Sequence, residues 1–251
     1  MILYGAPVER NLSMKKVRLA TLLAASAVFS ASSSFAADSV DLKVIGTITP
    51  VACTPTLSGG GTVDYGTIKA DTLKADDYTL LPMRTLDFSI TCDGNAKVSV
   101  SASSGRPGTT LGADESSNGA ATVPAGVTLF GLDSATQSVQ AFGLGLDGTN
   151  KIGGYGVKMA LSNAKADSVV VDTLYRKDNP NSAWTKAASG LISVQPYQHI
   201  SWATTGTLTP LAFKTLATTL DVQAYLNKTS ELDITKPIQL DGLATIELTY
   251  L

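Results

Sequence analysis

The chain has 251 residues, of which 16% are charged and 6% aromatic, and its formal net charge is −2. That length suits one large β domain or two small ones. With no basic excess or cluster to neutralise phosphates, nucleic acid and anionic membrane surfaces are poor partners. Gly, Ser, Thr and Ala, interleaved with Val and Leu, set the texture. This is the usage of an extracellular all-β protein rather than of a cytosolic enzyme.

From the N-terminus, residues 14–36 read as a secretory signal. Met14 is followed by Lys15, Lys16 and Arg18, then by an apolar run from Leu19 to Phe29, then by small residues ending in Ser34-Phe35-Ala36. Small side chains three and one positions before the cut place cleavage after Ala36. The apolar run is too short to span a bilayer, which takes about 20 residues. Residues 1–13 precede a complete signal with its own Met and read as an extension from a mis-assigned start. Removal of residues 1–36 leaves 15 basic and 20 acidic side chains, a net charge of −5. The expected destination is an oxidising compartment outside the cytoplasm.

Residues 40–48 come next. Val40, Leu42, Val44, Gly46 and Ile48 share one face of an extended strand, because strand side chains alternate. The other face carries Asp41, Lys43 and Thr47, with Ile45 the exception. A half-apolar strand at the leading end of a mature chain needs a partner, inside its own domain or on another molecule. Cys53 and Cys92 are the only cysteines. In an oxidising compartment an even pair most simply makes one disulfide. A metal site would need more ligands, and the single His199 lies far along the chain.

Leu86, Phe88, Ile90 and Cys92 alternate, and Asp93-Gly94-Asn95 reads as a turn before Val98, Val100 and Ala102. Further strands are expected around Val157, Met159 and Leu161, over residues 169–175, 191–194 and 220–226, and finally at Ala244, Ile246, Leu248 and Tyr250. Many short strands between turn signals argue for a β-sandwich. Residues 160–166 and 210–217 read as short helical turns. Residues 105–126 and 177–189 read as long polar surface loops. The domain proper is expected over 50–251, behind an N-terminal extension at 37–49.

No motif carries catalysis. Residues 142–148 contain G-x-G-x-x-G, but the run leads into more turn residues instead of the helix N-terminus that would meet a pyrophosphate. Asp76 and Asp77 are adjacent, so in extended structure they point apart and cannot readily share a substrate. His199 lacks any nucleophile context. Tyr197 and Trp202 read as core or strand-edge residues, with sugar stacking as the alternative. Asn227-Lys228-Thr229 fits a glycosylation sequon, which carries little weight in what looks like a bacterial secretory protein.

Four features together resemble the subunits of chaperone–usher pili. Residues 37–46 are similar to the donor segment of such pilins, including Gly46 seven residues before Cys53. Cys53 and Cys92 match the pilin disulfide. Val63-Asp64-Tyr65-Gly66-Thr67-Ile68 resembles the pilin strand that ends in a Gly plus aliphatic step. The end of the chain, from Asp241 to Leu251, resembles the pilin terminal strand with its penultimate Tyr. The resemblance implies an incomplete immunoglobulin-like sandwich, open along a groove beside its last strand. It implies that Val40, Leu42, Val44, Gly46 and Ile48 form a donor strand, and that Ala244, Ile246, Leu248 and Tyr250 form a groove wall. A periplasmic chaperone, an outer-membrane usher and other pilus subunits are the implied partners, with no cofactor and no enzymatic activity. A tip-located adhesin or lectin-like subunit, binding a host glycan or protein receptor, is the alternative.

Overall fold

The computed structural model describes residues 40–133, 139–177, 181–193 and 198–251. The upstream extension, the signal and residues 37–39 lie outside these, as do Val194 of the strand expected over 191–194 and Tyr197. Contacts divide the chain into two units, Met1–Thr47 and Ile48–Leu251. In the first, the described residues 40–47 are exposed and form no strand.

The second unit is all-β. Its strands are β1 (Cys53–Leu57), β2 (Thr79–Leu80), β3 (Arg84–Ala96), β4 (Val98–Ser104), β5 (Ala121–Thr122), β6 (Thr128–Leu129), β7 (Leu132–Asp133), β8 (Gln140–Gly143), β9 (Leu146–Asp147), β10 (Asn150–Lys151), β11 (Gly153–Met159), β12 (Lys165–Ala166), β13 (Val169–Lys177), β14 (Thr185–Lys186), β15 (Gln198–Thr204), β16 (Phe213–Leu226) and β17 (Ala244–Tyr250). Helical structure among the described residues is limited to three short 3-10 turns.

The named strands pair antiparallel. One face runs β1–β3–β16–β11–β8, and the other runs β17–β4–β15–β13. Short β12 pairs with both β13 and β16 and so joins the two faces. Between them lies one core, with Phe88 and Ile90 from β3, Val100 from β4, Trp202 from β15, and Leu216 and Leu220 from β16. The architecture is an immunoglobulin-like β-sandwich.

The alternation of β3 explains its place, since Phe88, Ile90, Cys92 and Ala96 are buried between more exposed neighbours. The expected turn at Asp93-Gly94-Asn95 is instead strand, because β3 continues to Ala96 and reverses at Lys97. In β16, Leu216 through Leu226 bury every even position in the core. Tyr225 points to the other side, into a smaller cluster with Val123, Val127, Leu129 and Val139.

Neither helical turn forms. Lys165–Ala166 and the residues from Phe213 onward are strand, locked together by ladder pairing and by Asp167. The Asp167 carboxylate accepts the backbone N–H groups of Lys214 and Thr215. Tertiary pairing overrides a weak local helix preference here. Residues 105–126 are also more than a surface loop. Thr110, Asn118, Ala120 and Ala121 are buried, and Glu115 accepts N–H groups from both Gly108 and Thr110. Small side chains let this polar stretch pack closely while its own groups satisfy its backbone. Within 177–189, β14 pairs with β13. Leu191 makes only an isolated bridge, to Lys158.

Candidate functional site: an unpaired edge beside an apolar cavity

The site is organised by β17, which hydrogen-bonds to β4 on one side and ends the sheet on the other. Its burial alternates, with Ala244, Ile246 and Leu248 packed against the core and Thr245, Glu247 and Thr249 exposed. An edge strand of this kind presents a row of unpaired N–H and C=O groups.

Beside it lies a cavity of about 890 Å³. Its floor comes from both faces of the sandwich, including Leu86, Ala102, Val157, Leu220 and Val222. Asp64 and Lys236 are the charged residues along its lining. A mostly apolar cavity with few polar groups is the usual composition of a binding site.

One wall is formed by residues 63–68, in which Val63, Tyr65 and Ile68 are half-buried against the core. The resemblance led us to expect a strand here, yet these residues belong to none. Gly66, at φ +65°, turns the chain, and its N–H is accepted by Asp64 Oδ1 at 2.7 Å. Glycine reaches that left-handed region without the steric cost of a Cβ. Burial pushes the Tyr65 phenol up in pKa, against a smaller lowering from the Ala224 backbone and Arg84.

The opposite wall is β17 together with the strap that precedes it, residues 232–243. The strap is pinned at several points. Asp233 N–H and Lys236 Nζ both meet the Asp147 carboxylate, at 2.9 and 3.2 Å. Arg106 donates from Nε and Nη2 to the two Asp241 oxygens, each at 2.7 Å. This bidentate contact holds the Asp241 carboxyl below the usual aspartate pKa. Gly242 lies flat on Tyr155, since a Cβ there would come within 2.8 Å of the ring. Burial drives the Tyr155 phenol far up.

Between the pins, residues 236–240 make no backbone–backbone hydrogen bond among the described residues. Both walls therefore carry unpaired main chain.

The expected groove residues divide. Ala244 and Ile246 line the cavity. Leu248 is half-buried but lies beyond the lining, and Tyr250 is 52% exposed. The Tyr250 hydroxyl accepts the Cys53 N–H at 2.8 Å, which ties the start of β1 to the end of β17. Ile238 and Leu240 were overlooked, although they line the cavity and continue the even-numbered apolar row of β17. The signal that finds them is that unbroken parity from Ile238 to Tyr250.

Cys53 and Cys92 form the disulfide, directly opposite each other in the β1–β3 ladder. The bridge anchors β1, from which the first cavity wall extends. The expected donor residues Val40, Leu42, Val44 and Ile48 are 90–100% exposed. Nothing lies within 4 Å of a Cβ built on Gly46.

The other candidates are structural. Gly143, Gly145 and Gly148 sit at the end of β8 and along the β9–β10 hairpin, away from any helix. Asp77 pairs with Lys74 in an exposed loop. His199 Nδ1 is 3.3 Å from the Ser99 hydroxyl. Trp202 is fully buried, edge-on to Phe213. Asn227 is buried, donating to the Lys151 carbonyl and the Glu231 carboxylate. No group of three or more His, Cys, Asp or Glu poised for a metal occurs among the described residues.

The family described as "Protein of unknown function (DUF1120)" matches residues 42–156. Two Escherichia coli proteins are similar over nearly the whole chain. One is "Uncharacterized protein YhcF", 30% identical over 92% of this chain and 98% of its own length. The other is "Protein GltF", 30% identical over 94% of this chain and 98% of its own length. The chain belongs to this family. The match begins two residues into the exposed alternating segment, so the family pattern includes most of that segment along with β1 through most of β11.

Proposed function

We propose that the protein is a structural subunit of a surface fimbria, secreted through the periplasm and assembled by strand donation between subunits. One observation carries this reading. A sandwich with an unpaired edge beside an open apolar cavity occurs in the same chain as an exposed, alternating apolar segment. Each is what the other lacks. The cavity leaves apolar floor and unpaired main chain exposed, and that combination invites aggregation unless a strand fills it. Adding a strand at an open edge supplies main-chain hydrogen bonds for affinity and side-chain pockets for specificity. A periplasmic chaperone fills the cavity first in this scheme. An outer-membrane usher then exchanges that strand for the leading segment of another subunit.

The test is co-expression in the periplasm with a chaperone of the pilus-assembly type. The protein should co-purify with the chaperone, and deletion of residues 37–46 should leave that complex intact while abolishing attachment to a neighbouring subunit. A deletion variant that still joins its neighbour would refute strand donation.

A further inference from the structure

We infer that Pro55 and the Tyr250 hydroxyl close the outer edge of β1 to strand addition, which leaves β17 as the one long open edge among the described strands. The closure holds whether or not subunits donate strands to one another.

A free edge is a hazard, because its N–H and C=O groups pair with any extended chain that meets them. Among the described strands with a single ladder partner, β2, β5, β6, β7, β9, β10 and β14 are two residues long. That is too short to hold an added strand. Five-residue β1 and seven-residue β17 remain. Thr54, Pro55 and Thr56 of β1 are exposed, so its edge is within reach of another chain.

The phase of the β1–β3 ladder shows which groups lie on that edge. In an antiparallel pair, successive residues turn N–H and C=O alternately toward the partner and away from it. Ala52 faces β3, since its N–H donates to Asp93 Oδ1 at 3.0 Å and its carbonyl accepts the Asp93 N–H at 3.0 Å. Thr54 and Thr56 share that phase. Cys53, Pro55 and Leu57 therefore face outward. The Cα atoms of Cys53 and Cys92 agree, because their 4.0 Å separation is the close spacing of a pair that exchanges no ladder bonds.

The outward positions are then closed in turn. The Cys53 N–H donates across to the Tyr250 hydroxyl at 2.8 Å. Pro55 has no N–H, and proline is tolerated in strands where its missing donor would face away from the sheet. At most the Leu57 N–H is left for an added strand, too little for a ladder. Tyr250 comes from the end of β17, so one side chain helps shut β1 while its own strand keeps an open outer edge.

The test uses the full mature chain, with amide exchange followed by nuclear magnetic resonance and association followed by sedimentation velocity. Tyr250→Phe keeps the ring and removes the acceptor. It should speed exchange of the Cys53 amide at least tenfold and leave the Thr54 amide, which faces β3, unchanged. A Cys53 amide that exchanges at the same rate in both chains would overturn the role of the hydroxyl. Pro55→Thr combined with Tyr250→Phe should self-associate at a protein concentration at least tenfold below that of the native chain. The Leu57 amide should gain protection in the associated state. Unchanged association, or association with the Leu57 amide still exchanging freely, would overturn the closure. Pro55→Ala, which also restores the N–H, takes the place of Pro55→Thr if the latter loses its disulfide or its far-ultraviolet spectrum. Each readout is a difference from the native chain, so a strand taken up at β17 does not affect it.

Discussion

Removing the disulfide should destabilise the sandwich by a large share of its total stability. Cys53 and Cys92 are 39 residues apart in sequence. Opening a loop of that size frees about 13 cal/mol/K of denatured-chain entropy, or about 4 kcal/mol at 25 °C. A domain typically has only about 5–15 kcal/mol in total. β1 is a five-residue strand whose one ladder partner among the described residues is β3, with a further tie from the Cys53 N–H to the Tyr250 hydroxyl. The double variant Cys53→Ala, Cys92→Ala is preferable to Ser, because Cys92 is buried and a hydroxyl there would add its own desolvation cost. At about 2–4 °C per kcal/mol for a chain of this size, the melting temperature should fall by about 8–16 °C. Urea unfolding followed by circular dichroism measures the first figure, and a thermal scan measures the second. Because β1 leads into residues 63–68, the same variant should capture a donor peptide more weakly. A loss below about 1 kcal/mol would refute the reasoning, and would mean that the β1–β3 ladder holds this edge without the cross-link.

Trp202→Ala should cost about 3–5 kcal/mol, since the ring is fully buried against Phe213. Trp202→Phe should cost distinctly less, because the buried indole N–H has no hydrogen-bond partner among the described residues to lose; chemical denaturation compares the two. Gly190→Ala should destabilise by more than the about 1–2 kcal/mol of a left-handed backbone, since Gly190 is at φ +71° and a Cβ would sit 2.1 Å from the Met159 carbonyl oxygen. Asp167, Asp172, Asp233 and Asp241 all have pKa values lowered in the fold, by backbone donors, hydroxyls or cations at their carboxylates. Their stabilisation is therefore fully present above the unfolded aspartate value, near pH 4, and is lost as pH falls through the lower folded values. Unfolding midpoints taken from pH 6 to pH 2 should drop only on the acid side of that point, and less steeply in Asp167→Asn.

What the sequence by itself determined is parity and covalent chemistry. Alternation put Phe88, Ile90 and Cys92 on one face of β3 and Ala244, Ile246 and Leu248 on one face of β17, because a side chain's direction in a strand depends only on its position. Two cysteines left one simple pairing, Cys53 with Cys92. The sequence also exposed the leading segment as a strand without an obvious home.

Tertiary structure alone decided which edges find partners. Residues 160–166 and 210–217 carry no local signal strong enough to outweigh the ladder between β12 and β16, so their helical reading failed. Residues 105–126 look like solvated loop until Glu115 and small buried side chains fold them inward. Residues 63–68 look like a strand but lack a neighbour to pair with. The strap shows the same limit from the other side. Ile238 and Leu240 carry the correct parity in the sequence, but only the pins at Asp147 and Arg106 hold them along the cavity. Pairing is a property of two segments and the space between them, and local residue preferences cannot specify that space.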